Sequence, residues 1–258
     1  KDIGSHLNKT VRIGGDDKIR NAILVKNFET WAWIITVSSS GQIKKSRVAD
    51  FVATRNNKVM AAMSMKKDDE LVTAFLAYYG DSILAVSRDG FANRYPLDQV
   101  PTMGVKTRGV KMQNYGKGDG CAYACVLSEE DQTVLFTTVN GMMKRVKLEE
   151  IPVNNRPAKG NLICKRIKSN PSVINTAQRI STGDTLEFYD PELQTIRAAD
   201  IPLKSVANTF SQPLVLKSGW YIKKGIEECR IVDVPEGMME EAHSDVETLS
   251  LFDDEETE

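Results

Sequence analysis

A basic residue follows a glycine at the same distance in four places along the chain. The glycines are Gly41, Gly90, Gly141 and Gly219, and the residues four positions on are Lys45, Arg94, Arg145 and Lys223. Further basic residues adjoin them at Lys44, Arg47, Lys144, Lys147 and Lys224. Because side chains alternate along a strand, the constant spacing predicts outward-facing cations at one point of several similar strands. Lysine and arginine in such a row could bind the phosphates of a polyanion.

A second basic set lies in the segments that follow these strands. It comprises Arg55, Lys58, Lys106, Arg108, Lys111, Arg156 and Lys159, accompanied by Gly104, Gly109 and Gly160. A glycine lets the backbone approach a phosphate closely, while the basic side chains neutralise it. Lysines at strand edges also prevent aggregation, which is the simpler explanation for any single lysine. The constant register across repeats instead favours a phosphate-binding surface made of both sets.

The elements that would position these cations repeat with a period near 50 residues. Segments 33–51, 82–100 and 133–151 each contain an alternating apolar run, a turn centred on a glycine and a second run that ends on an apolar residue. The glycines of the three turns are 49 and 51 residues apart. Asp-Gly and Asn-Gly precede two of the second runs, and these dipeptides are typical of tight hairpins whose two central residues both have positive φ. Each repeat is therefore predicted to open with a β-hairpin.

A second half follows each hairpin, at 59–77, 109–127 and 160–180, and reads as two short strands around a polar turn. Four strands per repeat are typical of a propeller blade. We expect an all-β domain over residues 1–232 with about five blades. Their approximate bounds are 9–30, 31–80, 81–130, 131–183 and 184–232. The first blade would contain only the second half of a repeat. The last would contain a degenerate hairpin with its turn at Pro191 to Gln194 and a further hairpin around Gly219 that could close a ring.

The charge is segregated along the chain. Residues 233–258 contain 11 acidic residues and no lysine or arginine, which leaves 34 basic and 24 acidic residues in 1–232. A basic body of formal charge +10 suits a polyanionic partner, and the acidic end is predicted to be a flexible tail. No apolar run is long enough to span a membrane and none resembles a secretory leader, so we expect a cytoplasmic protein.

Residues suited to catalysis are sparse. The histidines are His6 and His243, and Cys121, Cys125, Cys164 and Cys229 are too scattered for a zinc site. The glycine-rich segment 116–120 lacks the spacing of a phosphate-binding loop. We expect free buried thiols, no metal, no cofactor and no reaction catalysed by this chain alone.

The hairpin sequences resemble a known family. LFTTVNGMMKRVKLEEI (135–151), VSSSGQIKKSRVADF (37–51) and AVSRDGFANRYPLDQV (85–100) are similar to the repeats of the C-terminal domain of bacterial type IIA topoisomerase A subunits. The resemblance implies a β-pinwheel, in which neighbouring propeller-like blades exchange strands. It also implies a non-catalytic domain, monomeric when isolated, whose outer rim binds and bends duplex DNA for the catalytic core of the same polypeptide. ATP, Mg²⁺ and the ATPase B subunit would act elsewhere in the holoenzyme.

Two members of that family are distinguished by a motif. Gyrase carries the box Gln-Arg-Arg-Gly-Gly-Lys-Gly, whereas the corresponding segments 102–111 and 154–161 read TMGVKTRGVK and NNRPAKGN. The departure favours topoisomerase IV, which acts on duplex crossings during decatenation and relaxation in chromosome segregation. The alternatives are a gyrase-type DNA-wrapping domain and a propeller whose charge binds an acidic protein.

Overall fold

The computed structural model describes residues 9, 11, 13–15, 17–53, 59–168, 171–190, 192–211 and 229–232. The described residues form fourteen strands and no α-helix. The strands are β1 (Trp33–Ser38), β2 (Gln42–Arg47), β3 (Leu71–Ala77), β4 (Ser82–Ser87), β5 (Phe91–Pro96), β6 (Val110–Lys111), β7 (Cys121–Leu127), β8 (Thr133–Thr138), β9 (Met143–Lys147), β10 (Asn161–Leu162), β11 (Ile174–Arg179), β12 (Thr185–Asp190), β13 (Glu192–Arg197) and β14 (Cys229–Val232). The predicted tail at 233–258, the Gly219 turn and the predicted cations Arg55, Lys58, Lys223 and Lys224 lie outside the described residues.

The strands form four antiparallel sheets, which we call blades 1 to 4 in chain order. Their strand orders are β3-β1-β2-β6, β10-β5-β4-β7, β11-β8-β9 and β13-β12-β14. Strand β6 follows the hairpin of blade 2 in the chain but pairs with β2 of blade 1, and β10 follows the hairpin of blade 3 but pairs with β5 of blade 2. Ser211 likewise follows the hairpin of blade 4 and bridges to Met143 of blade 3. This exchange confirms the predicted pinwheel, and we call the segments that make it, 97–112, 148–164 and 198–211, the connections.

The glycine-centred hairpins within the described residues form as predicted, with a different turn type. Gly41, Gly90 and Gly141 have φ of 77°, 82° and 76°, and each donates its N–H to the carbonyl three residues earlier at 2.9–3.0 Å. The glycine is thus the last residue of a four-residue turn and not a central one. This is the three-residue loop in which a glycine occupies the left-handed region after the turn. The expectation of a two-residue turn with two positive φ values is wrong.

The core lies between the blades. Ile83 and Ala85 of β4 pack with Ile35 of blade 1, whereas the alternate residues Leu84 and Val86 pack with Phe136 of blade 3. Both faces of a blade are covered because side chains alternate along its strands. A third apolar cluster joins blades 3 and 4. The registry between blades, which sets the geometry of the connections, is therefore fixed by apolar packing on both faces of each hairpin.

The ends of the predicted repeats differ from the structure. No strand forms in the described part of 9–30, and the expected half-blade is wrong there. Residues 18–21 instead run beside β3, where Asn21 donates to the carbonyl of Ala74, and Glu70 just before β3 accepts bonds from Arg20 at 2.5 Å and Lys18 at 3.3 Å. In blade 4, β13 begins at Glu192 and Gln194 pairs with Phe188, so residues 192–194 of the expected turn belong to a strand. The described residues thus contain four sheets, where the sequence predicts about five blades.

The described residues contain no helix of the length and apolarity that a membrane span requires.

Candidate nucleic-acid interface

The cations of the hairpin strands are mostly buried. Lys44 and Lys144 have no exposed surface, and the exposed fractions of Lys45 and Arg145 are 7% and 8%. The expectation that these four side chains form an outward-facing row is wrong. The physical reason is the strand exchange, because β2 and β9 are each covered by a connection that returns from the next blade.

Lys44 and Lys144 hold turns of the connections. In each connection a backbone hydrogen bond closes a four-residue turn, from Thr107 to Gly104 at 3.2 Å and from Asn208 to Ser205 at 3.0 Å. The ammonium group of Lys44 donates to the carbonyls of Gly104 and Val105 at 3.1 and 2.6 Å, and that of Lys144 donates to those of Ser205 and Asn208 at 3.0 and 2.9 Å. Burial lowers the pKa of both lysines to about 8. Their hydrogen bonds hold the turn of each connection from within.

Lys45 and Arg145 fix the start of the same connections. Lys45 donates from Nζ to the carbonyl of Leu97 at 3.2 Å and lies 5.1 Å from the ring centroid of Trp33. Arg145 donates from Nε to the carbonyl of Ile201 at 2.9 Å. Both side chains are buried, which lowers the pKa of each, and their small exposed surface leaves neither well placed to meet a phosphate in solvent.

Blade 2 has a weaker version of this arrangement. The residue equivalent to Lys44 and Lys144 is Asn93, whose amide donates to the carbonyl of Asn155 at 3.4 Å while its own oxygen is buried without a partner. Arg94 is half-buried, and its Nε likewise lacks a hydrogen-bond partner among the described residues. Instead, Arg156 of the connection donates from Nε to the carbonyl of Gln99 at 2.8 Å.

The glycines of the connections also have structural roles. A Cβ on Gly109 would lie 2.4 Å from the carbonyl oxygen of Ile43, and one on Gly160 would lie 2.1 Å from that of Ala92. Both glycines let the exchanged segment pack against the preceding blade, which gives each a structural role that the sequence pattern does not predict. A Cβ on Gly104 would have no neighbour within 4 Å.

The connections carry most of the exposed predicted cations. Lys106, Arg108, Lys111 and Lys159 are exposed, and Arg156 is half-buried. We call these five residues the connection surface. Among the described residues, none of the five has a carboxylate within ion-pair distance, and their positive charge is free to meet an external anion. By contrast, the exposed Arg47 and Lys147 pair with Asp50 at 3.4 Å and Glu149 at 3.2 Å.

Hydrogen bonds make the connection surface continuous from one connection to the next. Arg156 donates from Nη1 to the carbonyl of Lys111 at 2.7 Å, and Asn114 donates its N–H to the carbonyl of Ala158 at 3.0 Å. The connections that follow the hairpins of blades 2 and 3 are therefore joined side by side. Exposed cations therefore occur on two connections that adjoin each other across two blades.

Sequence reasoning missed a further basic group immediately after β10. Lys165, Arg166 and Lys168 are all exposed, and Arg166 lies 3.0 Å from the carboxylate of Asp89. The dense run KRIK at 165–168 is the signal that could have found them. It was missed because it does not keep a constant spacing from a hairpin glycine.

The described residues contain little that resembles a reaction centre. They hold no group of histidine, cysteine or acidic residues that could bind a metal ion. Burial raises the pKa of the Cys121 and Cys125 thiols to about 12, so both are protonated at neutral pH.

A family described as "DNA gyrase C-terminal domain, beta-propeller" matches residues 32–77, 81–124 and 132–181. These ranges contain the first three hairpins, the strands β3 and β11 and the first four residues of β7. The A subunit of DNA topoisomerase 4 from Bacillus subtilis (strain 168) is 28% identical to this chain over 205 residues, which cover 76% of the chain and 25% of the relative. The protein of the same name from Staphylococcus aureus is 29% identical over 188 residues, which cover 73% of the chain and 23% of the relative.

Solved structures share the architecture. The crystal structure of the C-terminal domain of DNA topoisomerase IV matches with a TM-score of 0.79 at 24% identity, covering 95% of this chain and 75% of that one. The DNA gyrase A C-terminal domain matches with a TM-score of 0.71 at 18% identity, covering 85% and 73%. These likenesses show the fold, and the chain spans about a quarter of the length of its curated relatives. On the extent of the family match, the chain belongs to the family of DNA gyrase C-terminal β-propeller domains.

Proposed function

We propose that this chain is a non-catalytic domain of the A subunit of a topoisomerase IV and that it binds and bends duplex DNA. The observation that carries the proposal is the connection surface, where exposed cations without carboxylate partners among the described residues continue from one blade to the next. Lysine and arginine in such an array neutralise phosphates and release counterions, which binds duplex DNA with little preference for sequence.

The arrangement of the blades supports bending as well as binding. Successive connections repeat the same path on successive blades, and in the first two of them Arg108 and Lys159 occupy equivalent positions. A duplex that contacts several connections has to follow their curvature, and the phosphate contacts offset the cost of deforming it. In the holoenzyme the bent segment would be presented to the catalytic core of the same polypeptide, with ATP hydrolysed on the B subunit, for decatenation and relaxation.

The choice of topoisomerase IV over gyrase depends on two observations. The curated relatives named above belong to DNA topoisomerase 4, and the gyrase box is absent from 102–111 and 154–161. A gyrase-type wrapping domain is the second candidate, because the family match itself carries the gyrase name. Topology assays on the full holoenzyme separate the two, since only gyrase-type wrapping would make ATP-dependent turnover introduce negative supercoils.

Binding of the chain to a short duplex across a salt series tests the proposal. We expect the affinity to fall steeply between about 50 and 200 mM salt, as phosphate contacts require. Lys106→Ala with Arg108→Ala should lower the affinity about tenfold and reduce the salt slope by about 2. The matched control is Lys66→Ala with Lys67→Ala, which removes the same charge from exposed positions outside the connections.

Equal losses in the two double variants would reject the connection surface as the binding site. Undetectable or salt-insensitive binding by the unmodified chain would reject the proposed function. Capture of an acidic protein that persists after nuclease treatment would favour the protein-interaction alternative.

A further inference from the structure

We propose that Phe91, Lys159 and Arg166 form a preorganised clamp for neighbouring phosphates on one strand of the bound duplex. This inference deepens the proposed function, on which it depends, by identifying an anchoring subsite on blade 2. We call the three residues the Phe91 clamp. Phe91 and Arg166 belong to neither basic set that the sequence spacing identifies.

Two cations lie over one aromatic ring in the Phe91 clamp. The ammonium nitrogen of Lys159 is 4.0 Å from the centroid of the Phe91 ring, and the guanidinium carbon of Arg166 is 5.0 Å from it. Both distances are within the range of cation–π attraction, which holds a cation over the negative face of the ring. Because both cations approach the same ring, their charges lie within about 9 Å of each other.

The backbone under the Phe91 clamp is fixed. Phe91 pairs with Leu162 of the exchanged strand, and its N–H donates to Ser87 Oγ at 3.1 Å. The amide of Gln113 donates to the carbonyls of both Phe91 and Lys159, at 3.0 and 2.8 Å. The ring and the lysine that it holds are thereby tied together at the level of the main chain.

The Phe91 clamp is incompletely neutralised. Arg166 has one carboxylate partner, Asp89 at 3.0 Å, whereas Lys159 has none among the described residues. Two adjacent cations with one carboxylate leave a net positive charge in a small area, and like charges held together repel each other. An external anion that contacts both would relieve this repulsion. A run of phosphates supplies such anions at regular intervals along a strand.

The neighbouring blades lack the Phe91 clamp. The residue that follows the hairpin glycine is Gln42 in blade 1, Phe91 in blade 2 and Met142 in blade 3. By the register of the connections, the residue that corresponds to Lys159 is Arg108 for blade 1 and Thr209 for blade 3. Only in blade 2, among these three, does an aromatic ring meet a cation from the connection. Blade 2 should therefore hold the duplex more firmly than its neighbours.

Preorganisation is the physical advantage of the Phe91 clamp. A free lysine or arginine loses side-chain entropy when it binds a phosphate, and a cation already held over a ring loses less. The ring contributes affinity without contributing charge. This separates the clamp from a simple sum of surface cations.

The substitution Phe91→Leu tests the inference, because it keeps an apolar residue in β5 and leaves the net charge unchanged. We expect it to weaken duplex binding about three- to tenfold at about 100 mM salt, since two cation–π contacts are lost. Phe91→Tyr, which keeps the ring, should retain the affinity of the unmodified chain. Gln42→Leu is the matched control at the equivalent position of blade 1 and should leave binding unchanged.

Thermal melting of each variant separates folding from binding. The Phe91 clamp is supported if Phe91→Leu loses duplex affinity at an unchanged melting temperature while Phe91→Tyr keeps its affinity. Duplex binding that is equally tight in Phe91→Leu and the unmodified chain would overturn the clamp while leaving the proposed function standing. If Phe91→Leu is destabilised, the double variant Lys159→Gln with Arg166→Gln replaces it, with Lys66→Gln and Lys67→Gln as the control double variant. A loss of duplex affinity no larger than that of the control would overturn the clamp. Absence of duplex binding by the unmodified chain would instead overturn the proposed function.

Discussion

The strand cations and the connection cations are chemically alike but have opposite surroundings. Lys44 and Lys144 lie inside the molecule, where each ammonium group donates to carbonyls of a neighbouring turn. Lys106 and Arg108 lie outside, on the first of those connections, with no carboxylate partner among the described residues. The first group shapes the segment on which the second is displayed. A regular cation spacing in a repeat protein can therefore report how adjacent repeats are joined and not where a ligand binds.

The difference arises from the edge of the sheet that each group occupies. The strands β2 and β9 would be exposed edge strands if each blade were self-contained, and their basic residues would then face solvent. Strand exchange covers these edges with the connection from the next blade. The exposed cations of the connections have no further layer over them among the described residues, so their side chains remain in contact with water.

The largest effect should follow from removing a buried ammonium group. Lys144→Ala should lower the free energy of unfolding by about 3 kcal/mol, because several buried carbonyls lose a charged donor at once. Lys147→Ala is the matched control three residues on. It removes the same charge from a side chain that is 54% exposed and paired with Glu149, and should change stability by less than about 0.5 kcal/mol. Urea denaturation measures both.

Similar urea midpoints for the two variants would contradict the structural role of the strand cations. Lys144→Ala should also bind duplex DNA less tightly if its fold is weakened. Recovery of that affinity under conditions that stabilise the folded state would agree with the structural role of the strand cations. Such recovery would mean that the lysine affects DNA through the fold of its connection.

Much of the fold could be predicted from the sequence, because hairpins leave local signals. Glycines 49 and 51 residues apart, flanked by alternating runs, locate the hairpins β1–β2, β4–β5 and β8–β9. The strand exchange has no such signal in composition or periodicity. Strand β6 has only two residues, and its partner β2 lies more than 60 residues earlier in the chain. Only the family resemblance predicts that exchange.

The candidate site was harder to predict for a related reason. Alternation along a strand tells which side chains share a face, but it does not tell what covers that face. Lys45 and Arg145 share a face as expected, yet that face meets the next connection. Arg166 was missed because its role depends on a contact with Phe91, which is distant in sequence. Contacts between repeats, and not patterns within them, decide which cations are free.

The glycines of the connections sharpen the same comparison with a smaller effect. Gly160→Ala should lower the free energy of unfolding by about 2 kcal/mol or more, since Gly160 has a φ of 81° and its new Cβ would collide with the backbone of Ala92. Gly104→Ala, in open space, should be close to neutral. Chemical denaturation of both variants checks the expectation. Loss of DNA affinity at unchanged stability in Gly160→Ala would instead favour a direct role of this glycine at a phosphate.

The smallest effect concerns the protonation of the strand lysines. The pKa of Lys44 is about 8 in the folded chain and near 10.5 as its ordinary value, because burial disfavours the charged ammonium more than Asp50 favours it. Between these two pH values Lys44 is protonated in the unfolded chain and largely deprotonated in the folded one, so raising the pH stabilises the folded state. Below pH 8 Lys44 is protonated in both states, and its contribution to the free energy of unfolding is constant.

The stability of the unmodified chain relative to Lys44→Met should therefore rise by up to about 1 kcal/mol per pH unit from about pH 8 to 10, measured by urea denaturation at each pH. The other titratable groups are the same in both proteins, so their contributions to the pH dependence cancel in the comparison. A relative stability that stays flat over this range would mean that the Lys44 ammonium group is as well solvated as those of the connection surface, and the contrast between the two rows of cations would then be lost.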